Sequence, residues 1–500
     1  MRDGARELDQ VFVARLRARG AGGEGHRRRC DQPEGEREQG ESLRGHWPTR
    51  EHDEARNDNP EGSLDDVASG RRLVVLLVSL ALVGAPAVAL RAFCIGKSCN
   101  QDDALGTTEV PFCPLPADLR AQIVNGYREG RSPDVLAATS STPIRGWPAS
   151  PYVVDANRVP LWFFGAGVVP GLIPAGTEVD QIAPTLARAM GFDRTHPEVR
   201  SGQPIPGVIR QGIAPRLIVE VVWSDVGSVF PQNRAPWLLG TLEPSGEAAS
   251  GEATTGSLPV DPAAVLTTIG TGGIPAEHGI TGSTIRSKDG GTVPAWSDGA
   301  PRSVIATLAD DWDHATGERA RIGLIAPDVT TRGIVGGTWY LEHDRDDLLF
   351  GSREPVDAAS ALIRRGFGAD ATTDILAIVL QGGVSGMDAQ TEALVGSVAD
   401  LVPDTTFVLT ATGTQHSPFE IGNTTVAVGS VVQRVEAAVD APVVSAAVPG
   451  GLFLDQSVMA ANDITSDDVV RTMDAMTAPD GSALFADAYP GFAISFSRYC

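Results

Sequence analysis

The sequence predicts an α/β protein: a three-layer α/β/α sandwich with a mainly parallel central sheet, preceded by one transmembrane helix. Short apolar runs alternate with stretches of helical periodicity through the later part of the chain. That alternation is typical of strands buried on both faces and covered by helices. Upstream, residues 73–90 form a run of eighteen uncharged residues, about the length of a helix that spans a bilayer.

The chain begins with a polar segment, residues 1–70, that is rich in Arg, Glu, Gly and Asp. Such a segment cannot bury enough apolar surface to offset its chain entropy, so it is predicted to be a disordered cytoplasmic tail. No methionine lies between Met1 and Met190. A translation start at Val67 is therefore an alternative in which residues 1–66 are not made, and N-terminal sequencing distinguishes the two.

Residues 71–92 are predicted to be a signal anchor. Arg71 and Arg72 precede the apolar run and should hold its N-terminal side in the cytoplasm, which places the rest of the chain outside the cell membrane. The alternative is a signal peptide cleaved after the small residues Ala87 and Ala89. The expected partner of residues 73–90, as an anchor, is the membrane.

The cysteines fit export. Cys30 lies in the tail, whereas the other four follow the membrane segment, an even number in an oxidising compartment. Their spacing pairs Cys94 with Cys99 and leaves Cys113 with Cys500, a bond that would join the two ends of the outer domain.

Residues 93–112 are predicted to be an extracytoplasmic linker and residues 113–500 a folded domain. The formal charge of −23 excludes nucleic acid as a partner, because phosphate backbones require a basic face. Strands are predicted at Pro133–Thr139, Val159–Phe164, Arg216–Trp223, Arg321–Ala326, Asp374–Leu380 and Thr405–Ala411. Helices are predicted at Gln181–Met190, Asp357–Arg365, Thr391–Leu401 and Ser466–Met476, and a loop at Glu243–Ser257.

One stretch, TTIGTGGIPAEHGITG at Thr267–Gly282, resembles the segment that follows the nucleophile in the alkaline phosphatase superfamily, in its phosphate monoesterase and nucleotide pyrophosphatase branch. Three further segments resemble that family in the family's own order. They are SVIATLADDWDHATGERARIGLIAPD (Ser303–Asp328), TDILAIVL (Thr373–Leu380) and FVLTATGT (Phe407–Thr414).

Two matching segments stand in the wrong order. GYREGRSPDVLAAT (Gly126–Thr139) and the region Val159–Phe192 resemble segments that come last in the family, yet here they precede Arg216–Trp223, the strand that resembles the family's first. The resemblance therefore implies a circular permutation, with the old ends fused near residues 200–215 and the new ends near Cys113 and Cys500. Permutation is tolerated where termini lie close together at the surface.

The family's chemistry needs two divalent cations and a Thr or Ser nucleophile between them. Carried over position by position, the resemblance implies that every one of these places is changed. The vestigial positions are Ser224 for a metal Asp, Pro262 for the nucleophile, Val384 and Asp388 for an Asp and a His, Thr412 and Gly413 (with Thr414) for D-H-G, and Pro148 for the last His. At the substrate-binding Lys and Arg positions around Asp328 stand Pro327 and Val329.

The segment Thr267–Gly282 is interpreted as scaffold. Thr271 and Gly272 form a turn, Pro275 fixes another, and Gly279 allows a third beside His278. His278 is expected to form hydrogen bonds within the fold. Two weaker candidates are a cation site in Glu342–Asp347 and a nucleophile with its base at Ser417 and His416. The alternating charge of the first is more typical of a solvated loop, and no elbow or oxyanion motif surrounds the second.

The expectation is a membrane-anchored extracytoplasmic pseudoenzyme without cofactor or metal, acting as a binding or structural module whose envelope partner or ligand is unknown. The alternative is a phosphoester or sulfoester hydrolase with a remodelled carboxylate metal site built from Asp225, Asp261 and Asp388.

Overall fold

An eight-stranded sheet forms the centre of the protein. The computed structural model describes residues 116–139, 144–145, 157–230, 232–337, 339–340, 346–413, 426–448 and 450–494, all within one compact unit. The predicted tail, anchor and linker and all five cysteines lie outside these ranges. Within them, no helix is both long and apolar enough to cross a membrane.

The large sheet is mostly parallel. In spatial order its strands are β10 (Asp347–Phe350), β9 (Ile322–Ala326), β11 (Asp374–Leu380), β5 (Leu217–Trp223), β12 (Thr405–Ala411), β3 (Arg158–Gly165), β6 (Ala248–Thr254) and β4 (Gly171–Leu172). The first five run parallel to one another. β3 is antiparallel to both of its neighbours, β12 and β6, and the short edge strand β4 is parallel to β6.

The central strands are buried on both faces. Every residue of β5, β11 and β12 is buried, as their continuous apolar sequences predict. Two of the strands predicted from the sequence, Asp374–Leu380 and Thr405–Ala411, have the bounds that the structure gives them, and the predicted Arg216–Trp223 differs from β5 by one residue. The mixed α/β class with a mainly parallel sheet is therefore confirmed.

Helices cover this sheet. The α-helices are α1 (Ala117–Gly126), α2 (Ile182–Met190), α3 (Glu243–Ser245), α4 (Pro262–Thr271), α5 (Pro275–His278), α6 (Leu308–Thr316), α7 (Pro355–Arg364), α8 (Val384–Leu401), α9 (Val428–Val439), α10 (Gln456–Ala461) and α11 (Ser466–Asp474). α7 and α8 pack together and against the sheet, where the indole N–H of Trp223 donates to the Thr391 hydroxyl (2.9 Å). Residues of α2, α4 and α6 belong to the same apolar core as the strands.

The loop predicted at Glu243–Ser257 is wrong. This stretch contains α3 and the seven-residue strand β6, which pairs with β3 along its whole length. The sequence AASGEAT has no apolar run to mark it as a strand. Its side chains are small, and no apolar periodicity marks them. The extended conformation of β6 is instead determined by its ladder of hydrogen bonds to β3.

A second, four-stranded sheet was not predicted. Its spatial order is β14 (Val444–Val448), β15 (Gly451–Leu454), β1 (Val135–Thr139) and β16 (Phe485–Pro490), with antiparallel pairing throughout. It packs with α9 and α11 around a separate apolar core. Two small pairs complete the described strands: β2 (Ile144–Arg145) with β13 (Val426–Ala427), and β7 (Thr284–Arg286) with β8 (Thr292–Pro294).

The two ends of the described chain meet. Leu119 and Ile123 of α1 form an apolar cluster with Leu136, Tyr489 and Ile494. β1, near the start of the domain, lies between β15 and β16, near its end. The first and the last described segments of the domain therefore pack together beside the small sheet.

Candidate functional site

The central strands end level with one another at one edge of the large sheet. The register pairs Trp223, the last residue of β5, with Leu380 of β11 and with Ala411 of β12. Ser224 and Thr412 follow directly, so the structure brings two of the vestigial positions together. Parallel α/β sheets place their ligands at the carboxyl ends of the strands, and this edge is the candidate site.

The polar groups at this edge bind the backbone. The Thr412 N–H donates to the Trp223 carbonyl (3.0 Å), which extends the pairing of β12 with β5. The Thr412 hydroxyl accepts from the Asp225 N–H (2.8 Å) and donates to the Gly413 carbonyl (3.3 Å). Ser224 and Thr412 are both buried. These groups tie the ends of two strands together.

Val384 and Asp388 lie in the first part of α8, which follows β11. Val384 begins the helix and packs against the apolar core. The two oxygens of the buried Asp388 carboxylate accept the N–H groups of Trp237 (2.9 Å) and Leu238 (3.0 Å). Burial raises the pKa of Asp388, and the two backbone hydrogen bonds oppose the rise. This carboxylate fixes the start of the helical turn that precedes α3.

Pro262 and Asp261 form the beginning of α4. Pro262 is the first helical residue, a place where its missing N–H has no consequence. The Asp261 carboxylate caps the helix by accepting from the Ala263 N–H (2.9 Å) and from the Ser283 hydroxyl (2.7 Å). Burial raises the pKa of Asp261 despite these bonds. The small cavity beside it, about 10 Å³, holds at most a single water molecule.

The three carboxylates of the alternative site have different surroundings. Asp225 is exposed in a left-handed conformation (φ 59°) just beyond β5, whereas Asp261 caps α4 and Asp388 holds the backbone at Trp237. Across the described ranges, no three His, Cys, Asp or Glu side chains are grouped so that they could hold a metal ion. These three residues are therefore not assembled into a metal centre.

His278 lies fully buried at the end of α5, and both of its ring nitrogens are used. Nδ1 accepts from the Ile280 N–H (3.1 Å), so the ring proton sits on Nε2, which donates to the Thr268 hydroxyl (3.0 Å). Burial, with the positive charges of Arg131 and Arg128, lowers the pKa of His278 to about 3. The neutral ring has no lone pair free for a metal.

Two arginines of the GYREGRS segment hold the backbone around His278. Arg128 donates to the carbonyls of Ala276 (2.7 Å) and Glu277 (3.0 Å), and Arg131 donates to that of Gly279 (3.0 Å). Carbonyls at a helix C-terminus lack intrahelical donors, which these guanidinium groups supply.

The turns of Thr267–Gly282 coincide with helix ends. Gly272 and Gly279 adopt left-handed conformations (φ 75° and 79°) as the C-caps of α4 and α5, and Pro275 is the first residue of α5. The Thr271 hydroxyl donates to the Thr267 carbonyl (2.6 Å) inside α4. The segment is thus a compact helix–turn–helix connection that uses its own polar groups.

Two buried polar groups on one face of the large sheet were not predicted from the sequence. Glu220 stands in the middle of β5 opposite Val408, and Thr410 lies two residues further along β12, on the same face. The part of the chain that the structure describes offers the Thr410 hydroxyl no hydrogen-bond partner. Burial raises the pKa of Glu220 to about 8. In the strand sequence LIVEVVW, the one charged residue is Glu220, and this was the signal in the sequence that could have indicated a buried polar group.

Several predicted residues lie outside the described ranges. These are Pro148, Thr414, His416, Ser417, the cysteines and residues 342–345 of the acidic stretch. Of that stretch, Asp347 pairs with Arg365 (3.4 Å).

No protein-family model matches the sequence, and neither does any curated protein. Among solved structures, a crystal structure of wild-type alkaline phosphatase PafA matches with 13% identity and a TM-score of 0.38, covering 52% of this chain and 76% of that chain. A structure of a mutant of the same enzyme matches with 13% identity and a TM-score of 0.36, covering 51% and 75%. A likeness of this size does not assign the chain to a family.

Proposed function

We propose that this protein is a membrane-anchored extracytoplasmic pseudoenzyme, a circularly permuted relative of the alkaline phosphatases that serves as a binding or structural module of the cell envelope. In this proposal, residues 71–92 anchor the chain. The domain from residue 113 onward has lost the metals and the nucleophile.

The observation that carries the proposal is the state of the sheet edge. Where the resemblance places metal ligands and a nucleophile, the chain has Ser224, Thr412 and Pro262. The Thr412 hydroxyl is engaged with backbone groups, and Pro262 has no hydroxyl. Neutral groups of this kind do not hold divalent cations, so the largest contributions to phosphoryl transfer are missing.

The strand order supports the permutation. β3 precedes the parallel strands in the chain but lies beside β12, the last of them. If residues 113–200 followed β12 instead, β12 and β3 would be near neighbours in sequence as well as in space. The cluster that joins α1 to Ile494 likewise supports new termini close to each other.

A hydrolase with a rebuilt carboxylate site is the second candidate. Its support is chemical, since Asp225 is an exposed carboxylate beside the edge. The separate surroundings of Asp261 and Asp388 count against it.

The test is turnover of aryl phosphate monoesters, aryl phosphate diesters and aryl sulfate by the full chain, with zinc, magnesium or calcium added. We expect wild type and Pro262→Thr to be equally inactive, because a restored hydroxyl still has no metal to lower its pKa. Elemental analysis of protein purified without chelator should find substoichiometric zinc, and chelator should leave the melting temperature unchanged.

Asp225→Asn provides the decisive comparison, because asparagine tolerates the left-handed backbone at this position. If the wild type turned over one of these substrates and Asp225→Asn abolished that activity without changing the melting temperature, the rebuilt carboxylate site would replace the pseudoenzyme.

A further inference from the structure

We propose that a cleft formed by α2 and the connection from α2 to β5, here called the arginine cleft, binds a small organic oxyanion: a phosphate or carboxylate carried on an apolar body. The cleft has a volume of about 750 Å³. Its lining includes Pro184, Arg188, Phe192, Arg194, Arg200 and Gln203. This volume is in the usual range of small-molecule sites.

The charge of the cleft is positive. Three arginines line it, against one carboxylate, Asp193. Two of them share a single partner behind the wall: Arg194 Nε and Arg200 Nη2 both donate to Asp311 Oδ2, at 2.9 and 3.0 Å. Among the direct contacts one carboxylate serves two guanidinium groups, and Asp310 and Glu198 oppose their charge without hydrogen bonds to them.

The guanidinium groups of Arg194 and Arg200 are buried, so water screens their charge less than it would at the surface. The side chains of Arg194 and Arg200 are only 6% and 7% exposed. Tyr340 donates to the other oxygen of Asp311 (3.0 Å), so this carboxylate is fully engaged. Burial, followed by repulsion from Arg200, lowers the pKa of Arg194 to about 10, and the group stays charged at neutral pH. An anion in the cleft would relieve the repulsion.

One donor at this wall is unused. All three guanidinium nitrogens of Arg194 donate hydrogen bonds, to Asp311 and to the carbonyls of Thr271 and Ala306. Arg200 uses both terminal nitrogens, but its buried Nε has no hydrogen-bond partner among the described residues. An unsatisfied buried donor costs free energy that a ligand oxygen could recover. Nε itself is covered by protein atoms, so a ligand oxygen would reach it only after the Arg200 side chain turns towards the cleft, and the inference includes this turn.

The remaining lining fits the rest of such a ligand. Phe192 and Pro184 offer apolar surface, and the amide of Gln203 can form neutral hydrogen bonds. Arg188, in the last turn of α2, is exposed and has no ion pair with any residue that the structure describes. It can close on the anion from the solvent side.

The arginine cleft is distinct from the surroundings of Pro262, the proposed nucleophile position. Arg194 binds the Thr271 carbonyl at the C-terminal end of α4, whereas Pro262 is at the N-terminal end of the same helix. Ten residues of helix separate the two by about 15 Å. The inference does not depend on whether the sheet edge is catalytically inert.

Calorimetric titration of the full chain with phenyl phosphate, benzoate, inorganic phosphate and benzyl alcohol tests the inference. Phenyl phosphate or benzoate should bind at one site, with inorganic phosphate and benzyl alcohol weaker, and the stronger of the first two identifies the anion. Arg188→Met should weaken binding about tenfold by removing a charged hydrogen bond, with an unchanged melting temperature. Phenol release, followed in the same sample, separates binding from hydrolysis.

Two further variants complete the design. Arg200→Lys keeps the charge but removes Nε, and it should also weaken binding, with folding checked by its melting temperature. Arg353→Met removes an exposed arginine from the β10–α7 connection and should bind like wild type. If neither organic anion bound, if benzyl alcohol bound as tightly, or if Arg188→Met matched Arg353→Met, the arginine cleft would not be an oxyanion site.

Discussion

At the scale of single residues, several buried ionisable groups have hydrogen-bond partners on the backbone or on side chains, as Asp311 has on two arginines. His278 is neutral between two hydrogen bonds, and Asp388 is held by two N–H groups. Glu220 differs, because the described residues give it neither a hydrogen bond nor an ion pair, although it is only 5% exposed. It remains neutral by keeping its proton.

Glu220 makes stability depend on pH. Its pKa rises from 4.5 to about 8 on folding, so the folded state binds more protons than the unfolded state between these values. The free energy of unfolding should therefore fall as pH rises from about 4.5 to about 8. Glu220→Gln should flatten this fall and be more stable than wild type at pH 8, by on the order of 3 kcal/mol. At pH 5 the two should be similar.

Chemical denaturation at a series of pH values checks this, with the exposed Glu252→Gln as the matched control in the same sheet. If the free energy of unfolding changed with pH in the same way for wild type and Glu220→Gln, Glu220 would not be the cause of the pH dependence.

At the scale of elements, sequence patterns located the strands and helices whose conformation depends on apolar periodicity. β11 and β12 were predicted with their observed bounds because they are buried runs of apolar residues. β6 was missed because its conformation depends on pairing with β3. The helix predicted at Thr391–Leu401 begins at Val384. Its first two turns, VSGMDAQ, include polar residues and a glycine and show no apolar stripe. The arginine cleft was missed for a related reason: two of its three arginines, Arg194 and Arg200, lie in an irregular connection, where no periodicity marks them.

The cap of α4 gives a test at this scale. Asp261→Ala removes acceptors for the Ala263 N–H and the Ser283 hydroxyl, and should destabilise the protein by about 1–3 kcal/mol. Asp261→Asn keeps an oxygen acceptor and should restore most of that loss. The exposed Asp298→Ala should be neutral. Denaturant midpoints measure all three, and equal destabilisation by Asn and Ala would mean that the negative charge, rather than the cap, is what matters.

At the scale of the whole molecule, the meeting of the two chain ends is the feature that the proposed permutation requires. α1, β1 and the residues after β16 form one apolar cluster. The second sheet could not be foreseen from the sequence, because its four strands come from both ends of the domain and their pairing is set by tertiary contacts.

The proposed bond between Cys113 and Cys500 gives a test at this scale. Cys500→Ser, or reduction of the wild type, should lower the melting temperature, because the bond closes most of the domain into one loop; chain entropy gives about 5 kcal/mol for such a loop. Cys30→Ser should have no effect. Free thiols at both positions in exported protein, detected by mass spectrometry, would eliminate the bond.

The place of β1 in the small sheet also determines how the protein would respond to mechanical force. In a chain anchored through residues 71–92, traction reaches the domain at α1 and then at β1. β1 has antiparallel neighbours on both sides, and Asp134 just before it accepts from the Leu454 N–H (2.7 Å). Because ladder hydrogen bonds lie across the strand direction, a pull along β1 strains both ladders in shear. α1 would therefore detach before β1 leaves its two neighbouring strands.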